Sequence, residues 1–226
     1  MREISLKSKK IDYRQSEAYK ILRTNIEFSG ADNKVIVLTS CTPNEGKSTT
    51  AVQLSSSLAD AGKKVLLIDA DLRKSVMTDE FQVTGHVKGL SHFLADRADL
   101  ADTMYKVKDK DMVVIFAGHV PPNPAELLSQ KRFASMLVSA RNVNDYIIID
   151  APPLGSVIDA AIIANHSDVS ILVVAAQNTS RKFARLVKEQ LERSGCPILG
   201  VVLNKVDIKN DKYYGKYYTH YYGEKY

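Results

Sequence analysis

The sequence predicts an α/β fold, a parallel β-sheet core with helices on both faces. Three observations predict it. Apolar runs of strand length alternate with amphipathic stretches of helix length. Nearly every run is continuously apolar and β-branched, as strands covered on both faces require. Polar residues able to do chemistry follow directly on several of the runs, where open parallel sheets place their ligand crevices.

The elements follow in order. Residues 12–30 predict an N-terminal helix ahead of the first strand, Val35 to Thr39. A helix over Thr49 to Ala61 ends at Gly62, which suits a left-handed helix end. Further strands are predicted at 65–68, 112–116, 146–149, 170–174 and 199–203. Asn123-Pro124-Ala125-Glu126 reads as a helix start, with Asn123 as cap, Pro124 at the first helical position and Glu126 closing a capping box. Residues 180–194 form a charged amphipathic helix, and 208–226 lack apolar periodicity and read as a flexible tail. The expected organisation is one domain over 1–207 followed by that tail.

Length and composition agree with one soluble domain. The 226 residues are 45% hydrophobic and 25% charged. No apolar run reaches membrane-spanning length, and the N-terminus lacks a signal-peptide stretch. Cys41 and Cys196 show no disulfide or zinc spacing, so a reducing cytoplasm is expected, and the dispersed His86, His92, His119, His166 and His220 offer no metal spacing. The net charge of +5 admits nucleic acid or an anionic membrane surface as partners. Apart from Arg2, Lys7, Lys9 and Lys10, however, the basic residues are scattered, which fits a solvated surface, and no nucleic-acid partner is expected.

The first strand runs into Ser40-Cys41-Thr42-Pro43-Asn44-Glu45-Gly46-Lys47-Ser48-Thr49 and then a helix. A phosphate site needs backbone N–H groups curled at a helix N-terminus, a lysine for the β/γ charge and a hydroxyl for magnesium. Lys47 and Ser48 supply the last two, and residues 43–49 form the candidate nucleotide loop. The pattern GxxxxGK[ST] would put its first glycine at Cys41, but Asn44 tolerates a left-handed backbone, so the loop remains buildable. Carboxylates follow two other strands, in Asp69-Ala70-Asp71-Leu72-Arg73 and Asp150-Ala151-Pro152-Pro153. Magnesium keeps several waters, so one hydroxyl and one or two carboxylates suffice to hold it.

These motifs together resemble the bacterial tyrosine kinases, P-loop proteins related to the MinD/ParA ATPases, in the split cytoplasmic form that serves capsular or exopolysaccharide synthesis. The resemblance rests on TSCTPNEGKSTT as Walker A, VLLIDADLRKS as Walker A′ and YIIIDAPP as Walker B, with GHVPPNPAELL, GVVLNKVD and a tyrosine-rich end. It implies ATP and Mg2+, with Lys47 on the β/γ-phosphates and Ser48 and Asp150 on the metal. It also implies that Asp71 supports the metal site and Asp69 takes or orients the proton of a tyrosine hydroxyl. Asn204 would meet the adenine, and Arg73 would either touch phosphate or form an ion pair. Glu17-x-x-Lys20-x-x-Arg23 resembles a subunit-contact motif of a homo-oligomeric ring, with lysine where the family often has arginine. The implied partners are a transmembrane polysaccharide co-polymerase, whose cytoplasmic tail recruits and activates the kinase at the inner membrane face, and an opposing protein-tyrosine phosphatase.

Seven of the eleven tyrosines, Tyr213, Tyr214, Tyr217, Tyr218, Tyr221, Tyr222 and Tyr226, lie in the last fourteen residues. An aromatic helix face, a stacking tail and a set of phosphoacceptors are all readings of that cluster. Beside a kinase-like nucleotide site the phosphoacceptor reading is favoured, in trans within an oligomer. Two other functions remain open. A MinD/ParA-like ATPase switch gives the tyrosines no use and often carries an extra early lysine, absent from Ser40-Cys41-Thr42. A GTPase is suggested by Asn204-Lys205-Val206-Asp207.

Overall fold

The computed structural model describes residues 1–7, 12–83, 85–176 and 178–207. Lys9, Lys10, His220 and the seven tail tyrosines therefore lie outside the described residues, as does the predicted tail. Among the described residues nine strands form a single sheet: β1 (Arg2–Leu6), β2 (Val35–Ser40), β3 (Val65–Asp69), β4 (Phe81–Gln82), β5 (Met104–Val107), β6 (Met112–Ile115), β7 (Tyr146–Asp150), β8 (Val169–Ala175) and β9 (Ile198–Asn204). Their spatial order is β4-β1-β5-β6-β3-β7-β2-β8-β9. All neighbours are parallel except β1 with β4 and β5 with β6.

Among the described residues there are seven α-helices: α1 (Tyr13–Phe28), α2 (Lys47–Asp60), α3 (Leu90–Leu94), α4 (Pro124–Leu128), α5 (Lys131–Arg141), α6 (Asp159–Ala164) and α7 (Arg181–Glu192). Strand alternation divides the core into two layers. Val35 and Val37 of β2, with Leu66 and Ile68 of β3, face the layer built by α3 to α7. Ile36 and Leu38, with Val65 and Leu67, face α1 and α2. The six predicted strands are all present. The three that were not predicted, β1, β4 and β5, sit together on one flank of the sheet.

Two helix starts differ from expectation. α2 begins at Lys47, two residues earlier than predicted, and ends beside Gly62, whose φ is +80°. Asn123 precedes α4 and Pro124 takes the first helical position, but no capping box forms. Instead the Asn123 amide donates to Glu126 Oε2 at 2.7 Å, so the two side chains satisfy each other and leave the helix N–H groups aside. α1 starts as expected, with Asp12 Oδ1 accepting from the Gln15 N–H at 2.7 Å.

Candidate active site

The site sits where β2, β3 and β7 end, and the sheet register explains its composition. Asp69 and Asp150 are direct neighbours at the C-terminal ends of β3 and β7, and Leu38 of β2 is the other neighbour of Asp150. The loop after β2 therefore opens beside two carboxylates. Asn44 takes φ +65°, as its tolerance of left-handed backbone allows, and Gly46 takes φ +87° at the N-cap of α2. A Cβ on Gly46 would lie 2.1 Å from the Asn204 amide nitrogen, so glycine is needed there for space as well as for conformation.

Three side chains hold the loop from behind. Glu45 is buried, and its carboxylate accepts from the N–H groups of Cys41 (2.7 Å), Thr42 (2.8 Å) and Ala175 (3.1 Å) and from the Thr179 hydroxyl (2.5 Å). The amide of Asn204 donates to Glu45 O at 2.9 Å, and Lys205 Nζ donates to Asn44 O at 2.6 Å. Sequence reasoning placed Glu45 and Asn204 on the nucleotide. Here the Glu45 side chain ties the loop to the end of β8, and the Asn204 amide braces the loop backbone. The sequence carries little signal of this, because the groups that Glu45 binds come from positions as far away as 175 and 179.

A cavity of about 440 Å³ opens over this floor. Pro43, Asn44, Glu45, Gly46, Lys47, Ser48 and Thr49 line it, with Asp71, Arg73, Lys74 and Lys205. Its volume is in the range of small-molecule sites. Lys47 Nζ donates to Asp150 Oδ1 at 2.5 Å, both groups being almost fully buried. Burial pushes the Asp150 carboxyl up, while the Lys47 ammonium and the Ser48 hydroxyl pull it back. The second oxygen, Asp150 Oδ2, is buried with no hydrogen-bond partner. A buried carboxylate oxygen left open beside a hydroxyl is what a bound cation would complete. Among the described residues no group of three His, Cys, Asp or Glu could hold a metal unaided. That donor set fits magnesium, which needs few protein ligands.

Asp69 is fully buried and accepts from the Ser75 hydroxyl and, at 3.2 Å, from the Asp71 N–H. Burial and then the neighbouring Asp150 push its carboxyl up to about 7. Asp71 reaches the cavity and caps the turn after β3, accepting from the N–H groups of Arg73 (3.3 Å) and Lys74 (3.0 Å). Arg73 grips the buried Asp159 at the start of α6 with two bonds, Nε to Oδ2 at 2.8 Å and Nη2 to Oδ1 at 3.0 Å. Of its two sequence readings, the ion pair is the one present here.

The structure separates the α1 residues from the site. Glu17 and Lys20 pair with each other at 2.7 Å on the exposed face. Arg23 turns inward and donates to Ser57 O of α2 at 2.8 Å. The tail tyrosines lie outside the described residues.

Comparison with known proteins identifies the family. The AAA domain family matches residues 33–192. Tyrosine-protein kinase CpsD of Streptococcus agalactiae serotype III (strain NEM316) is 49% identical over 84% of this chain and 82% of its own length. The chain belongs to the bacterial tyrosine kinases. Solved structures of this kinase family superpose on the same sheet. The crystal structure of the chimerical protein CapA2B2 matches with TM-score 0.83 and 30% identity, covering 91% of this chain and 94% of that one. The kinase domain of Escherichia coli tyrosine kinase ETK matches with TM-score 0.80 and 35% identity, covering 85% and 76%. No helix among the described residues is long and apolar enough to cross a membrane.

Proposed function

We propose that this chain is an ATP-dependent protein-tyrosine kinase of capsular or exopolysaccharide synthesis, and that the tyrosines of 208–226 are among its acceptors. The observation that carries the reading is Asp69. It is a carboxyl poised near neutrality, and in the sheet it lies next to the carboxylate that Lys47 binds. A tyrosine hydroxyl titrates near 10, so transfer at neutral pH gains from a base that accepts its proton. Lys47 and the N–H groups of 44–49 neutralise and orient the β/γ-phosphates, and a loose transition state depends chiefly on that. Magnesium, held by Ser48 and Asp150 with Asp71 in support, supplies charge neutralisation on the phosphate oxygens when bound.

The likeness to proteins named as tyrosine kinases supports this reading over the ATPase switch. The bond from the Asn204 amide to the loop backbone supports a bracing role for that residue over recognition of guanine. Around this core the proposal includes a domain over 1–207, an acceptor tail and a homo-oligomeric ring in which Glu17, Lys20 and Arg23 lie near a subunit contact. It also includes a membrane-bound activator with a cytoplasmic tail, which recruits the kinase to the inner face, and an opposing phosphatase.

The test is phosphate mapping by intact-mass and peptide mass spectrometry after incubation with ATP and magnesium, with and without the activator's cytoplasmic tail. Phosphotyrosine in 213–226 that disappears in Lys47→Met and Asp69→Ala is expected. ATP consumed without phosphotyrosine, activator present, would identify a switch ATPase instead.

A further inference from the structure

β8 is buried along its whole length, whereas β9 beside it has no fully buried residue and, among the described residues, is the last strand of the sheet. From Ile198 to Leu203 it carries neither charge nor proline. Natural sheet edges are normally guarded by one or the other, because unpaired strand N–H and C=O groups invite another strand. Among the described residues nothing covers either face of β9 fully. Val201 and Leu203, in register with Leu172 and Val174, are 56% and 45% exposed on the side of α7. On the side of α1 a groove of about 170 Å³ runs past Leu22, Ile26, Leu199 and Val202. A Cβ on Gly200 would meet nothing within 4 Å. A helix can cover only one such face. A strand, whose side chains alternate, covers the edge and both faces together.

We propose that the chain's own C-terminal segment, around residues 212–222, pairs antiparallel with the free edge of β9. Three features select this occupant. Residues 208–226 begin four positions beyond the end of β9, and their 19 residues exceed what a reversal and a seven-residue strand require. Lys205, with φ +55°, already turns the chain out of the strand line, and Lys209-Asn210-Asp211 has the composition of a turn. Tyrosine and threonine favour strands, and the doublets 213/214, 217/218 and 221/222 send one ring to each face at every fourth residue. One ring set then covers Val201 and Leu203, and the other fills the groove along Leu22 and Val202.

The consequence for regulation rests on the kinase reading. A docked tail holds its tyrosines away from every phosphate pocket, including that of a neighbouring copy. Each phosphate adds about −1.5 to −2 charge, which apolar faces reject, so phosphorylation releases the strand. The dock is an off state that the first transfer breaks.

Amide hydrogen exchange tests the docking without nucleotide, comparing the full chain with the full-length Tyr217→Pro/Tyr218→Pro variant. Adjacent strand N–H groups point to opposite sides, so one of the two prolines removes a donor facing β9. The edge amides of β9 are expected to exchange about tenfold faster in the variant, while those of β2 and β8 stay unchanged. Equal rates in the two chains would overturn the proposal. Protection in both chains that falls on dilution together with the mass in light scattering would also overturn it, because a second copy would then cover β9. Catalysis does not enter this readout, so its failure leaves the kinase reading intact, and absence of phosphotyrosine leaves the docking intact.

Discussion

Two cation–carboxylate pairs border the same cavity and are built differently. Lys47 touches one oxygen of Asp150 and leaves the other buried and open. Arg73 engages both oxygens of Asp159 and leaves neither. The closed fork is a strut that joins the turn after β3 to the start of α6. The open pair keeps a buried oxygen without a partner, the kind of vacancy that a bound cation would complete. The difference shows how a site is told from a brace when both contain a buried aspartate and a basic partner: what matters is the unsatisfied atom.

Substitutions should separate the two pairs. The largest effect is expected at the open one. Lys47→Met and Asp150→Asn should each lower the rate of phosphotyrosine formation by about 10³-fold or more, because charge neutralisation dominates phosphoryl transfer. Time courses of autophosphorylation on the folded protein would measure this.

Asp69 comes next and also gives a pH signature. Asp69→Asn should lower the transfer rate by about 10²–10³-fold, the usual contribution of a general base. Its effect on the stability of the nucleotide-free, magnesium-free protein should run the other way. The carboxyl is pushed up to about 7, so the folded protein keeps a proton that the unfolded chain releases near pH 4. Wild-type stability therefore falls as pH rises between those values and levels off above about 7. The asparagine variant escapes that fall. Its melting temperature should exceed wild type increasingly from pH 4 to 7, by about 2–4 °C for each kcal/mol regained. A constant difference across that range would mean that Asp69 is not held protonated by its surroundings.

The closed pair should respond in stability first. Arg73→Ala leaves Asp159 buried without its fork and should cost about 1–3 kcal/mol in denaturant unfolding, with Arg73 partly solvated. The rate on the folded fraction should change far less than for Lys47→Met. A loss as deep as that of Lys47→Met, without a shift in the unfolding midpoint, would make Arg73 a phosphate ligand and erase the distinction.

Much of this was legible in the sequence. The strands flanking the cavity are continuous β-branched runs buried on both faces, and the chemistry follows their ends, so Lys47, Ser48, Asp69, Asp71 and Asp150 could be placed before any contact was known. The unpredicted strands fail that pattern for a physical reason. β1 mixes exposed, half-buried and buried positions, β5 alternates half-buried with buried ones, and β4 is two residues long; all three are extended where they pair at the sheet flank. The supports of the site were the least legible part. Glu45 reads as a ligand residue because it stands between Asn44 and Gly46 in the loop, yet its carboxylate satisfies donors at Cys41 and Thr42 and at the distant Ala175 and Thr179. Local spacing records which residues share a loop; it does not record which way a side chain turns inside one.

Asn204 shows the same limit, and its expected effect is the smallest. If its amide braces Glu45 O, Asn204→Ala should weaken the binding of an ATP analogue by about 3–10-fold, the worth of one hydrogen bond to the loop. It should leave the preference for ATP over GTP where it was, because a residue behind the loop reads no base. A change in that preference would put Asn204 on the base after all. The brace would then be a resting contact exchanged for the nucleotide, and the end of β9 would belong with the open pair rather than with the struts.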